Sequence, residues 1–268
     1  MRLKVHSEQS VSRKVNTMEF KRTEYLCPYN PAPLFGELFT PDDGQDSHPL
    51  IIISHGMYYS HEMTAGSALA LVRHGFACYT FDYRGCSYTN RSGGDLLSCS
   101  ILTERDELVA VIDHFAAQKS IDPNRIFIIG QSLGGVVAAL AAARRPAQVS
   151  KMILMYPAFH AFDAMAQTYP SVEAVPEVIE NYLGIPGLTL GGMFITDILK
   201  CQFDDEIRPY DHPVLVIHGT ADELVPLSYV EKAAASYSQS RLLVIPEAGH
   251  GFQVDDTTVN DVVDFLNE

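Results

Sequence analysis

Tryptophan is absent from the 268 residues, and cysteine occurs only five times. Positive charge is scarce: 19 Lys and Arg stand against 33 Asp and Glu, a formal charge of −14. That balance argues against partners read through a basic face, nucleic acid and anionic membrane surfaces above all. No run of Lys and Arg marks a local exception. An apolar stretch of the ~20 residues that a spanning helix needs is also missing. The longest apolar tract, Ile126 to Ala143, is interrupted by Gly130-Gln131-Ser132. The N-terminal stretch to Phe20 carries Arg2, Lys4, Glu8, Arg13 and Lys14 and lacks the apolar core of a signal peptide. Cys27, Cys78, Cys86, Cys99 and Cys201 are odd in number and contain no CxxC pair. This reads against a disulfide framework and against a zinc site. The expected compartment is reducing and cytoplasmic. GxGxxG, GxxxxGK[ST] and HExxH are absent too, so neither a nucleotide cofactor nor a metal is expected.

What is present is an ordinary globular composition, 47% apolar and 19% charged. A chain of this length buries roughly 70–75% of its unfolded surface. Short β-branched runs alternate with segments of helical spacing. Pro49–Ser54 reads as a strand buried on both faces of a parallel sheet, Phe76–Tyr83 as a second buried strand, and Arg125–Ile129, Lys151–Tyr156, Val214–His218 and Leu242–Ile245 as further strands. Glu62–His74, Glu104–Lys119, Leu133–Arg144, Ser228–Ala235 and Asp256–Asn267 read as the helices between and after them. Met18–Leu26 and Leu34–Phe39 precede them as a β-pair. The alternation predicts an α/β fold with a doubly wound, mostly parallel sheet. It breaks between about 157 and 211, where Pro170, Pro176, Pro186 and several glycines interrupt an apolar stretch. The reading is one domain over 1–268 with an inserted lid at 157–211, whose apolarity is compatible with a homodimer.

The sharpest motif is Gly130-Gln131-Ser132-Leu133-Gly134-Gly135, a G-x-S-x-G sequence with a strand before it and a helix after it. In that context the serine sits on a tight turn with its hydroxyl exposed. A serine hydroxyl is a weak nucleophile at neutral pH and requires a base. His250 follows the last strand, in a loop at a carboxyl end where sites of open α/β sheets gather. His218 and His55 compete with it. An acidic residue must orient the imidazole. Asp222, after strand Val214–His218, fills that place, with Glu223 as the adjacent alternative. The chain order is Ser132, Asp222, His250. Two backbone amides should hold the developing oxyanion: Leu133, after the serine, and Met57, in the loop His55-Gly56-Met57. Arg84, in Asp82-Tyr83-Arg84-Gly85, is expected to pair with a carboxylate beside the site.

These residues together resemble the α/β-hydrolase family. The features are Ile53-Ser54-His55-Gly56, Phe81-Asp82-Tyr83-Arg84-Gly85, Gly130–Gly135, His218-Gly219-Thr220-Ala221-Asp222 and Gly249-His250, and they cover about residue 35 to the end apart from the insert. Within that family the chain is most similar to bacterial cinnamoyl (feruloyl) esterases. It has their His-Gly-x loop, their insert after the fourth parallel strand, and segments Pro157-Ala158 and Leu188–Phe194 that resemble theirs. The resemblance implies a serine carboxylesterase for small-molecule hydroxycinnamate esters, acting through an acyl-enzyme. It implies that the insert caps the acyl pocket. It also implies that an acidic lid residue lies near the ring hydroxyls, and Asp163 falls close to that position. Met57 stands where these relatives carry an aromatic residue, and Tyr58-Tyr59 follow it. Gly56, Tyr58, Asp163 and Tyr169 are the candidate substrate contacts. Rival readings are a serine aminopeptidase, an esterase for short aliphatic acyl groups, and a non-catalytic receptor on the same fold. For the aminopeptidase, Glu173, Glu177 and Glu180 are read as a solvated helix face rather than a clamp for a substrate amine.

Overall fold

Side chains that alternate between two apolar faces require a sheet covered on both sides, and the computed structural model shows one. It describes residues 2–5, 18–256 and 258–268. The strands are β1 (Arg2–Val5), β2 (Phe20–Cys27), β3 (Leu34–Pro41), β4 (His48–Ser54), β5 (Ala77–Phe81), β6 (Ile121–Gln131), β7 (Val149–Met155), β8 (Val178–Ile179), β9 (Leu190–Gly191), β10 (Val214–Gly219) and β11 (Ser240–Ile245). The helices are α1 (His61–Val72), α2 (Ile101–Ala116), α3 (Leu133–Arg144), α4 (Ala161–Thr168), α5 (Gly192–Lys200), α6 (Phe203–Glu206), α7 (Leu227–Ala235) and α8 (Val259–Asn267). Nine strands form one sheet in the order β1-β11-β10-β7-β6-β4-β5-β3-β2. Pairing is parallel from β1 through β5, and antiparallel where β3 meets β5 and β2. This is the α/β-hydrolase arrangement.

The alternation in β4 shows how the layers arise. Leu50 and Ile52 enter one core with Leu108, Val111 and Ile112 of α2, much of α3, and Phe194 and Ile198 of α5. Ile51 and Ile53 enter the other with Ala68, Leu71 and Val72 of α1 and Val262, Phe265 and Leu266 of α8. Burying each such Ile or Leu side chain contributes roughly 1.5–3 kcal/mol. Helix α3 lies over the sheet centre, buried from Leu133 to Ala143. Five of those positions are alanines, so its backbone approaches the strands closely.

The insert is more ordered than its sequence suggests. It holds α4, a two-stranded ribbon of β8 and β9, and helices α5 and α6. Its second half belongs to the main core through Phe194, Ile195, Ile198, Phe203 and Ile207. The Ser100 hydroxyl, which caps α2, also donates to Asp197 of α5 at 2.5 Å. By contrast, α4 buries no residue fully. Glu173, Glu177 and Glu180 are exposed, but on a short 3₁₀ turn and beside β8 rather than on a helix face.

Three expectations change. Strand β1, pairing with β11 at the sheet edge, was not read from the polar N-terminus; residues 6–17 of that stretch lie outside the described residues. Among the described residues the Arg84 side chain pairs with no carboxylate: its guanidinium donates to the Ser92 carbonyl at 3.1 Å, while its backbone amide donates to Glu107 at 2.9 Å. Cys86 and Cys99 form a disulfide, with Cα atoms 5.6 Å apart. An odd cysteine count said nothing about this pair, because the chain reversal between them brings them together: the Gly85 amide donates to the Gly93 carbonyl at 2.8 Å. The cysteine argument for a reducing compartment is thereby removed. Cys27, Cys78 and Cys201 are free and buried. Ligand atoms of Cys86, Cys99 and Glu104 lie within 4.8 Å of one another, but the two sulfurs are bonded to each other and offer no thiolate pair. No helix among the described residues is long and apolar enough to cross a membrane.

Candidate active site

Strand β6 ends at Gln131 and α3 begins at Leu133, so Ser132 must reverse the chain within one residue. It does so at φ 53°, ψ −120°, a region L-residues seldom occupy and one that concentrates at functional turns. The turn closes only because its flanks have no side chains. A Cβ on Gly130 would meet Gly134 and Ala138, and one on Gly134 would run into the carbonyl oxygens of Ser54 and His55.

Loops from two other strands converge on this serine. His250, after β11, lies with Nε2 2.9 Å from Ser132 Oγ and Nδ1 2.8 Å from Asp222 Oδ2. A carboxylate only accepts, so Nδ1 carries the proton and Nε2 is the acceptor for the serine hydroxyl. Asp222, after β10, is held by the Leu224 and Val225 amides, each 2.9 Å from Oδ1. Burial pushes its carboxyl up, but the Val225 amide, the His250 N–H and the Leu224 amide outweigh this and hold it below its usual range. It is therefore ionised at neutral pH. Glu223 is exposed.

The competing histidines have other partners. His218 is wholly buried and donates through Nε2 to the Val225 carbonyl at 3.0 Å. His55 is also buried; its Nδ1 donates to the Gly56 carbonyl at 2.8 Å and its Nε2 accepts the Tyr83 amide at 3.3 Å. Burial lowers the pKa of both, keeping them neutral.

Loop 55–59 runs beside the serine: a Cβ on Gly56 would sit 3.2 Å from Ser132 Cβ. Neither the Met57 nor the Leu133 amide donates to another described residue. Leu133 opens α3, so the positive end of that helix also faces the serine. Tyr58, at φ 60°, donates its hydroxyl to the Thr189 carbonyl at 3.0 Å and stacks on Tyr88, whose hydroxyl donates to Gly187 at 3.0 Å. The insert is thus tied to the turn that carries Met57.

Asp163 and Tyr169 lie farther out on the insert. Asp163 is exposed and faces a groove of about 460 Å³ lined by Phe159, Phe162, Phe203, Arg208 and Lys232. Ser132, His250 and Met57 are not among the residues lining it. Tyr169 is half-buried at the end of α4. One neighbour of His250 escaped the sequence reading. Tyr156, at φ 40° after β7, packs its ring edge-on to His250 at 4.7 Å and donates its hydroxyl to the Phe252 carbonyl at 2.9 Å. Only its place at the end of a strand could have signalled it.

Comparison with known proteins agrees with this architecture. Residues 45–189 match the family described as serine aminopeptidase, S33, and residues 200–268 match a family described as TAP-like protein. An uncharacterized protein of Mycobacterium tuberculosis is 27% identical over 216 residues, 80% of this chain and 67% of that one. A monoacylglycerol lipase of Mycolicibacterium smegmatis is 25% identical over 225 residues, 72% of this chain and 76% of that one. Among solved structures, Est1E of Butyrivibrio proteoclasticus with bound ferulic acid superposes with a TM-score of 0.78 at 22% identity, covering 90% of this chain and 96% of that one. The S33 match spans more than half of the sequence, and the chain belongs to the serine aminopeptidase S33 family of α/β hydrolases.

Proposed function

We propose that this chain is a serine carboxylesterase working through an acyl-enzyme. The observation that carries the reading is the unbroken hydrogen-bonded line Asp222–His250–Ser132, beside two unengaged amides. Ser132 Oγ attacks the ester carbonyl carbon while its proton passes to His250 Nε2. The charge on the carbonyl oxygen is held by the Met57 and Leu133 amides; losing one such donor typically costs about 10²–10³ in rate. Collapse breaks the bond to the alcohol oxygen, which takes the proton from His250. Water, deprotonated by His250, then releases the acid and restores Ser132. Asp222 stays ionised and stabilises the imidazolium. The chemistry calls for no cofactor.

The acyl group we assign is a small aromatic one of hydroxycinnamate type. Support comes from the aromatic side chains Tyr169 and Tyr182, half-buried on the insert, and from the fold shared with Est1E, whose structure holds ferulic acid. Gly56 and Tyr58 border the acyl site on the serine side, and Tyr169 is the contact we assign to the insert; Asp163 faces the separate groove and is given no substrate role. The family description favours a second reading, an aminopeptidase. A panel decides between them: methyl ferulate, p-nitrophenyl acetate and butyrate, and aminoacyl p-nitroanilides. The proposal predicts ester turnover with methyl ferulate favoured over acetate. Turnover of the anilides alone would overturn it.

A further inference from the structure

The loop carrying His250 has a weakness that the line of three residues does not reveal. Among the described residues, no backbone–backbone hydrogen bond reaches residues 249–254 from outside the loop. Buried or half-buried backbone groups need partners, and here side chains supply them. Tyr156 binds the Phe252 carbonyl. Ser67 of α1, wholly buried, accepts the Val254 amide through Oγ at 3.0 Å and donates to Gln253 Oε1 at 2.9 Å. Gln131, also wholly buried and adjacent to Ser132, donates through Nε2 to Gln253 Oε1 at 3.2 Å. Gln253 returns the bond, Nε2 to Gln131 Oε1, at 3.4 Å. The proton count closes. Ser67 has one O–H, given to Gln253, and its lone pairs take the Val254 N–H and, at 3.4 Å, the Gln131 Nε2–H.

We infer that Gln131, Ser67 and Gln253 form a strut between the serine turn and the histidine loop. They act as positioning residues that fix His250 Nε2 against Ser132 Oγ. The role rests on the esterase reading above; the strut itself is geometry. Gln131 is the residue before the nucleophile and Gln253 the third after the base, so a shift in the amide pair moves the two reacting groups relative to each other. None of the three belongs to the proton path, and their loss should leave substrate binding alone.

The test uses Gln131→Met, Gln253→Met and the double variant in the full chain, with Ser67→Ala as a smaller change should a methionine variant fail to fold. Thermal unfolding confirms the fold. With p-nitrophenyl butyrate, kcat should fall by roughly 10- to 100-fold, the scale of a misplaced reacting group, and KM should stay within about twofold. The double variant should lose no more than the worse single one, since either change breaks the same pair. Amide hydrogen exchange across 249–254 should quicken in each variant. Folded variants that keep wild-type kcat and exchange, or losses that multiply in the double variant, would overturn the strut. A wild-type chain inactive on esters whose 249–254 amides are still loosened by Gln131→Met would overturn the esterase reading and leave the strut standing.

Discussion

The Tyr58 hydroxyl donates to the Thr189 carbonyl across 131 residues of sequence, joining the turn that carries Met57 to the tip of the insert. A hydrogen bond of this kind contributes about 0.5–1.5 kcal/mol net. Removing it loosens the insert without touching Ser132, His250 or Asp222. Tyr58→Phe should therefore raise KM for methyl ferulate by roughly 2- to 10-fold and leave kcat within about twofold. Steady-state kinetics check this, and an unchanged KM would show that the insert is held in place without Tyr58.

Asp222 fixes which nitrogen of His250 carries the proton. In Asp222→Asn the side-chain amide can donate to Nδ1, which favours the tautomer whose Nε2 can no longer accept from Ser132. On this account kcat drops by about 10⁴, as in other Ser-His-Asp systems, while thermal stability stays close to wild type. Glu223→Gln should keep full activity, because the exposed Glu223 touches none of these groups. Equal losses from the two changes would contradict the assignment.

Glu107 is buried beside Arg84 and Asp106. Burial raises its carboxyl to about 8, although the Arg84 amide and charge work the other way. The native state then keeps a proton that the unfolded chain releases near the ordinary glutamate value. Between those two values the native state binds more protons, so stability falls as pH rises. Glu107→Gln removes that dependence. The variant should match the wild type near pH 5 and gain on it steadily up to about pH 8, by a few kcal/mol. Denaturant melts of both proteins at pH 5, 6.5 and 8 measure the difference, and a gap that does not change with pH would refute the neutral carboxyl.

Much of this was legible in the sequence, for local reasons. Ile51, Ile52 and Ile53 read as a central strand because side chains on both faces are buried. Ser132, Asp222 and His250 stood out because each follows such a strand. What stayed hidden depends on distant pairing. Gln131 and Gln253 lie 122 residues apart, and a glutamine beside a motif carries no local sign of its partner. Cys86 and Cys99 meet only because the chain between them folds back. The helices of the insert were obscured because α5 buries its apolar face in the core of the sheet, so its pattern reads as part of an irregular apolar stretch.

The central claim is that Ser132 is an activated nucleophile, and covalent labelling tests it most directly. The chain is incubated with a fluorophosphonate, digested, and its adduct located by mass spectrometry. The account predicts a single adduct on the peptide containing Ser132, absent in Ser132→Ala and formed at least ~10²-fold more slowly in His250→Ala, where the general base is gone. An unlabelled wild-type chain, or an adduct on another residue, would contradict it.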